Sequence, residues 1–235
     1  MCTLERSWKV KIKQAIPPAL LNTFLLRFPI LYRTKLVFYE TTLITGGGID
    51  ELLTLMATVL DIEGEIIECG SSRCGASIIM AKYLRTRQAN KKILACDSFE
   101  GFDQVELKRE QRAGLTTATS NSFTSTSYHY VQKKIAALGF QDTITPIKGY
   151  FQDTLPNISG PFCLALIDCD LRDSLVYSAE TIWPNLSSRG CMVFDDYLDP
   201  EFRGAKEGVD IFVQGHQAEI SEHGLINRLY YVRKA

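Results

Sequence analysis

The chain has 235 residues, 46% of them hydrophobic, and a formal net charge of −1 at pH 7. That is enough apolar material for one well-buried α/β domain. The near-neutral balance gives no bulk electrostatic case for a nucleic-acid partner, and no run of about 18 apolar residues exists to form a transmembrane helix.

Seven cysteines show no paired spacing, and Cys69, Cys96, Cys163 and Cys191 fall in apolar runs. Free cysteine there behaves as a small hydrophobe. A reducing, cytoplasmic setting is therefore expected, not a disulfide framework.

Residues 1–39 carry Arg6, Lys9, Lys11, Lys13, Arg27, Arg33 and Lys35 against one acid, Glu5. Beside Trp8 and the apolar Ile16–Phe28, this reads as an amino-terminal helical cap over residues 1–48. A basic amphipathic membrane surface is the alternative, and no small-residue cleavage site follows to suggest a signal peptide. Thr41–Gly48 is a glycine-rich loop, able to close over a site in the main domain at 49–235. A helix over Ile49–Leu60 follows it.

Glu65–Cys69 is short, branched and apolar, and reads as a buried strand. Gly70 breaks it, and Ala76–Leu84 then has helical spacing. Strand, glycine turn and helix open a doubly wound, mostly parallel sheet, with the ligand over the first turn. Gly70-x-Ser72-x-x-Gly75 lacks the middle glycine that lets a backbone approach a pyrophosphate. Glu68 before the turn suits a cationic ligand. S-adenosylmethionine, with a sulfonium and an ammonium and no phosphate, fits both features. A tight turn with no ligand is the plainer alternative.

Lys92–Cys96 is the second strand. Asp97 at its end, 22 residues after Gly75, is placed to accept both hydroxyls of a ribose. Ser98-Phe99-Glu100-Gly101-Phe102 follows, and the polar stretch after it, residues 103–127, reads as a functional lid or a disordered loop. Phe99 and Phe102 either pack on the adenosine or belong to the core. Tyr128–Leu138 has helical spacing and Thr143–Lys148 strand character. Gly149 and Phe151 beyond it can flank an adenine.

Phe162–Ile167 is an unbroken apolar run, hence a central strand, ending in Asp168-Cys169-Asp170. After a helix over Ser174–Trp183, Cys191–Phe194 is the next strand and ends in Asp195-Asp196. Residues two apart on an extended chain point the same way. A parallel sheet brings all four carboxylates to the edge that holds Gly70. So crowded, they raise each other's pKa unless a cation binds, and hard oxygen ligands favour Mg²⁺. Solvated or helix-capping acids are the alternative. A divalent ion lowers the pKa of a bound hydroxyl, and a carboxylate nearby can take the proton. Phe202–Gln214 reads as a helix and Asn227–Arg233 as the last strand of a closing pair. His216 and His223 sit among polar residues and read as surface histidines.

These motifs resemble the metal-dependent sugar O-methyltransferases of macrolide and aminocoumarin biosynthesis, the macrocin, mycinamicin and noviose type. The match rests on Glu68-Cys69-Gly70 with Arg73 and Gly75, on Asp97-Ser98-Phe99-Glu100-Gly101, and on Gly149 through Pro156. Asp168-Cys169-Asp170 and Gly190 with Asp195-Asp196-Tyr197 complete it. The resemblance implies a class I methyltransferase fold with one antiparallel strand, a small hydroxylated acceptor and a homo-oligomer. It implies donor contacts from Glu68, Gly70, Ser72, Gly75, Asp97, Ser98, Phe99, Gly149 and Phe151. Asp170, Asp195 and Asp196 would hold the metal, and Asp168 would be the general base. Two departures stand out. Cys74 replaces a second glycine, and Leu171-Arg172 follows the acid pair where a small or aromatic residue is usual. A metal-free enzyme of the same fold and a non-catalytic donor-binding protein are the competing readings.

Overall fold

The computed structural model describes residues 48–235, so the expected cap and loop up to residue 47 lie outside the described residues. The described chain begins with α1 (Gly48–Ala57), β1 (Glu65–Cys69), α2 (Gly75–Arg87), β2 (Ile93–Asp97) and α3 (Gln104–Ala113). It continues with α4 (Tyr128–Ala137), β3 (Ile144–Lys148), the single turn α5 (Phe151–Thr154) and β4 (Phe162–Ile167). Then come α6 (Arg172–Ile182), β5 (Leu186–Phe194), α7 (Arg203–Gly215), β6 (Ile220–Ile226) and β7 (Leu229–Lys234).

The sheet order is β3-β2-β1-β4-β5-β7-β6. β1 to β5 pair in parallel, while β7 runs antiparallel between β5 and β6. This is the expected doubly wound sheet with one antiparallel strand. Because side chains alternate across a strand, each central strand feeds two cores. Ile66, Leu164, Leu166 and Val193 pack towards α1, α2 and α4. Ile67, Ala165, Ile167, Met192 and Phe194 pack towards α6 and α7. Covered on both faces, β4 is buried at all six residues, which is why it reads as a continuous apolar run. Strand order reverses between β1 and β4, so a crevice opens beyond their carboxyl ends.

One expectation needs correcting. The stretch after β2 is neither disordered nor a plain loop: it contains α3. Asp103 caps α3 by accepting from the backbone N–H of Val105 and Glu106, and Gly114 ends it at φ 69°. Its buried face is Glu106, Leu107 and Glu110. Two acids on the inner face erase the apolar periodicity by which a helix is recognised. β6 was legible only as half of a closing pair. It is an edge strand, mostly exposed along its length, so no apolar alternation marks it.

Candidate active site

A cavity of about 530 Å³ opens at the carboxyl ends of the parallel strands. Glu68, Gly70, Ser72, Gly75, Asp97, Ser98, Gly149 and Phe151 line one part of it, and Asp168, Asp170, Asp195 and Asp196 another. The β1 turn is built tightly. Gly70 has φ 93°, and a Cβ there would lie 1.7 Å from the backbone oxygen of Asp168. Only glycine allows the β1 and β4 ends to approach this closely. Cys74 adopts φ 54° immediately before α2, a left-handed conformation that favours glycine.

Asp97 ties the β1 and β2 ends of the cavity together. Its Oδ2 accepts from the Ser72 N–H at 2.8 Å and its Oδ1 from the Phe99 N–H at 2.6 Å. Its backbone oxygen accepts from Gly149 N–H at 3.0 Å. Each carboxylate oxygen has a second lone pair, so the group keeps capacity for a hydroxyl ligand. Phe99 serves only through its backbone. Its ring is buried against Tyr128, 5.6 Å between centroids, while Phe102 faces the cavity.

Glu68 is buried at the same edge and accepts from the Ser77 hydroxyl. Burial is the largest influence on its carboxyl, which is pushed up to about 7; the Ser77 bond opposes the shift and nearby Asp97 adds to it. The fully buried Lys134 amine, 2.8 Å from the backbone oxygen of Arg73, offsets it in part.

The strand-end acids converge. Asp168, Asp195 and Asp196 each offer a ligand atom within 4.8 Å of the others. Asp170 stands beside Asp196, and each carboxyl shifts the other. Burial first, then mutual repulsion, holds the Asp168 and Asp170 carboxyls well above the usual range and pushes Asp196 up to about 7. Asp170 and Asp196 both sit at φ 59°. Non-glycine residues held in that region at a site are stored strain. Buried, crowded, all-oxygen donors fit a hard divalent cation.

Sequence reasoning missed Arg228, on the β6–β7 turn. Its Nε donates to Asp195 at 3.0 Å and its Nη2 to Asp196 at 2.9 Å, with Asp199 at 3.7 Å. Nothing in the local sequence marks it, because Asp195 and Asp196 lie over 30 residues away. Arg172, by contrast, does not enter the acid cluster. It pairs with Asp173 and Glu207, both at 3.2 Å.

The segment between β2 and α4 is pinned from α6 and from the β1 turn. Glu106 accepts from the Ser174 N–H at 2.7 Å, and Glu110 from the Arg172 N–H at 2.5 Å. These carboxylates satisfy the orphan N–H groups of α6, whose own N-cap residue, Leu171, supplies no side-chain bond. Arg73 donates to the Ser125 hydroxyl at 2.6 Å. His216 lies between Glu180 and Glu219, and His223 on Tyr230, outside the cavity lining.

This sheet order, with a glycine turn, an acid ending β2 and a cavity over the switch point, is that of a class I methyltransferase domain. Residues 39–223 match the macrocin-O-methyltransferase (TylF) family, and the chain belongs to that family. A tetracenomycin-type rhamnosyl 4'-O-methyltransferase of Streptomyces olivaceus is 30% identical over 174 residues, covering 70% of this chain and 65% of that protein. Demethyldecarbamoylnovobiocin O-methyltransferase of Streptomyces niveus is 26% identical over 144 residues, covering 59% and 54%. The matched part thus spans less than two thirds of either relative. The O-methyltransferase NovP superposes with a TM-score of 0.71 at 22% identity, covering 83% of this chain and 82% of its own. The calicheamicin methyltransferase CalS11 gives 0.66 at 19% identity, covering 92% and 91%. At these identities the structural matches speak for the fold. No helix of the described residues is long and apolar enough to cross a membrane.

Proposed function

We propose that this chain transfers the methyl group of S-adenosylmethionine to a hydroxyl of a sugar carried by a small metabolite, with Mg²⁺ at the carboxylate cluster. The observation that carries the reading is the convergence of Asp168, Asp195 and Asp196, with Asp170, beside the Gly70–Asp97 pocket. The names of the relatives support the acceptor class, since the first is described as a rhamnosyl 4'-O-methyltransferase. The six buried free thiols among the described residues suit a reducing, cytoplasmic setting.

Glu68 and Asp97 receive the donor, Glu68 facing its cationic end and Asp97 its ribose. The turn around Ser72, the Ser98 region, Gly149 and Phe151 enclose the adenosine. Asp170, Asp195 and Asp196 would hold the cation, and Asp168 takes the acceptor proton. The acceptor oxygen bonds to the methyl carbon as the carbon–sulfur bond breaks, and the electron pair leaves on the neutral thioether. A bound divalent cation would neutralise the crowded acids and acidify a hydroxyl beside it. The remaining acceleration comes from holding two reactants in line.

Calorimetry of S-adenosylmethionine and Mg²⁺ binding, on wild type and Asp195→Ala, tests this reading. Donor should bind both proteins and Mg²⁺ only the wild type. Asp168→Asn should keep donor binding and lose methyl transfer by at least about a hundredfold, the usual share of a general base. A metal-independent enzyme is the second reading, favoured by Arg228, a cation already seated on Asp195 and Asp196. Activity that survives chelation would select it.

A further inference from the structure

Lys134 has no exposed surface. It projects inward from α4 beside Tyr130, Val131 and Ile135, and it is not among the residues that line the cavity. A charged side chain is buried this completely only where something compensates its lost hydration. Part of the compensation comes from the turn between β1 and α2. The Lys134 Nζ donates to the Arg73 backbone oxygen at 2.8 Å. That oxygen belongs to a strained stretch, since Ser72 at φ 45° and Cys74 at φ 54° flank it and both are left-handed.

Glu68 is the second part. Its carboxyl is faced by Ser77 from α2, Cys74 from the turn, Asp97 from β2, Asp168 from β4 and Lys134 from α4. Burial first, with the like charge of Asp97, raises the carboxyl to about 7, and the Ser77 hydroxyl and Lys134 act against the rise. Of these groups Lys134 is the cation. Without it, a buried carboxyl beside two acids would keep its proton at neutral pH. A neutral carboxyl offers little to a sulfonium or an ammonium.

From this arrangement, and resting on the function proposed above, we infer that Lys134 is a positioning residue for the methyl donor. It holds the Arg73 carbonyl of the turn and presents a positive charge to Glu68, so that Glu68 meets the donor's cationic end as a carboxylate. One side chain on α4 thereby sets both the backbone and the charge of the donor pocket without touching the ligand.

Donor binding tests this without requiring turnover. S-adenosylmethionine is titrated by calorimetry into the full chain at about pH 6, 7 and 8.5. Protein with Glu68 ionised takes the donor more tightly, so wild-type affinity should rise with pH through about 7. Lys134→Met fills similar space without charge and should move that rise up by about one pH unit. Whatever the lost Arg73 bond costs is the same at every pH. The fall in affinity should therefore be about fourfold larger at pH 7 than at pH 8.5, as a one-unit shift requires. Lys134→Arg keeps the charge and an N–H for Arg73, and should keep the wild-type midpoint. In a Glu68→Gln background, whose amide cannot ionise, adding Lys134→Met should change affinity by one factor at every pH.

A loss in Lys134→Met that is equal at all three pH values overturns the inference, by leaving Lys134 with the structure of the turn alone. Thermal unfolding checks that the variants are folded. Should Lys134→Met fail to fold, Lys134→Arg decides: a midpoint that moves up by a full unit overturns the inference, and an unmoved one supports it. A pH-dependent difference that persists in Glu68→Gln also overturns it, by assigning the titration to another acid such as Asp97. Absence of donor binding at every pH overturns the methyltransferase reading and this inference with it. Donor binding with no pH-dependent difference between the proteins overturns the inference alone.

Discussion

Replacing Glu110 with glutamine keeps the side chain's shape and removes its charge. Glu110 is 1% exposed; its Oε1 accepts from the Arg172 N–H at 2.5 Å, and its Oε2 is buried with no hydrogen-bond partner among the described residues. Burial raises its carboxyl from 4.5 to about 7, against the Arg172 N–H, which favours the charged form, and with the help of Glu106. A raised folded-state pKa means the folded protein holds a proton that the unfolded chain releases. Its contribution to stability is then whole below about 4.5 and is lost as pH rises to about 7. At about 1.4 kcal/mol per pH unit the loss has a ceiling of roughly 3 kcal/mol; relaxation around the helix end makes about 2 kcal/mol the working figure. The amide of Glu110→Gln keeps an acceptor for Arg172 and has nothing to ionise.

The variant should therefore be more stable than wild type by about 2 kcal/mol at pH 8 and equal to it within about 0.5 kcal/mol at pH 4.5, by urea unfolding at each pH. Glu68 and Asp196 titrate in the same direction, each pushed up to about 7. The absolute slope therefore belongs to several groups, and the difference between the two proteins isolates Glu110. A Glu110→Gln protein less stable than wild type at pH 8 would refute the reasoning. The ionised carboxylate at the α6 N-terminus would then be net favourable.

Two further outcomes follow from the site's packing. Gly70→Ala places a methyl 1.7 Å from the Asp168 oxygen at φ 93°, so a loss of at least about 2 kcal/mol is expected from strain and displaced backbone. Urea unfolding measures that loss, and S-adenosylmethionine affinity should fall with it; a neutral effect would mean the β1 turn is not held against β4. Arg228→Met removes the cation on Asp195 and Asp196, so Mg²⁺ should bind roughly tenfold more tightly by calorimetry, since like charges no longer repel. Weaker Mg²⁺ binding would show that Arg228 holds the carboxylates in place for the ion.

Much of this protein was legible along the chain because the signals are local. Glu65–Cys69 and Phe162–Ile167 are apolar runs that must be covered on both faces, and both are strands with the expected bounds. Gly70 breaks one strand, and the paired acids end the other and its neighbour, so parallel pairing alone carries them to one edge. What remained hidden depends on partners distant in sequence. Glu106 and Glu110 gain their buried role only because α6, more than 60 residues on, presents its N-terminus to them. Phe99 differs from Phe102 only in which way a left-handed backbone turns its ring. Arg228 joins the acids, and Phe123 and Phe202 join Phe102, because the sheet folds separate loops over the same strand ends. Composition and periodicity determined the layered sheet and the edge where chemistry gathers. Tertiary structure alone decided which carboxylates converge, which cation faces them and which rings wall the cavity, since a side chain's charge state and company depend on what buries it.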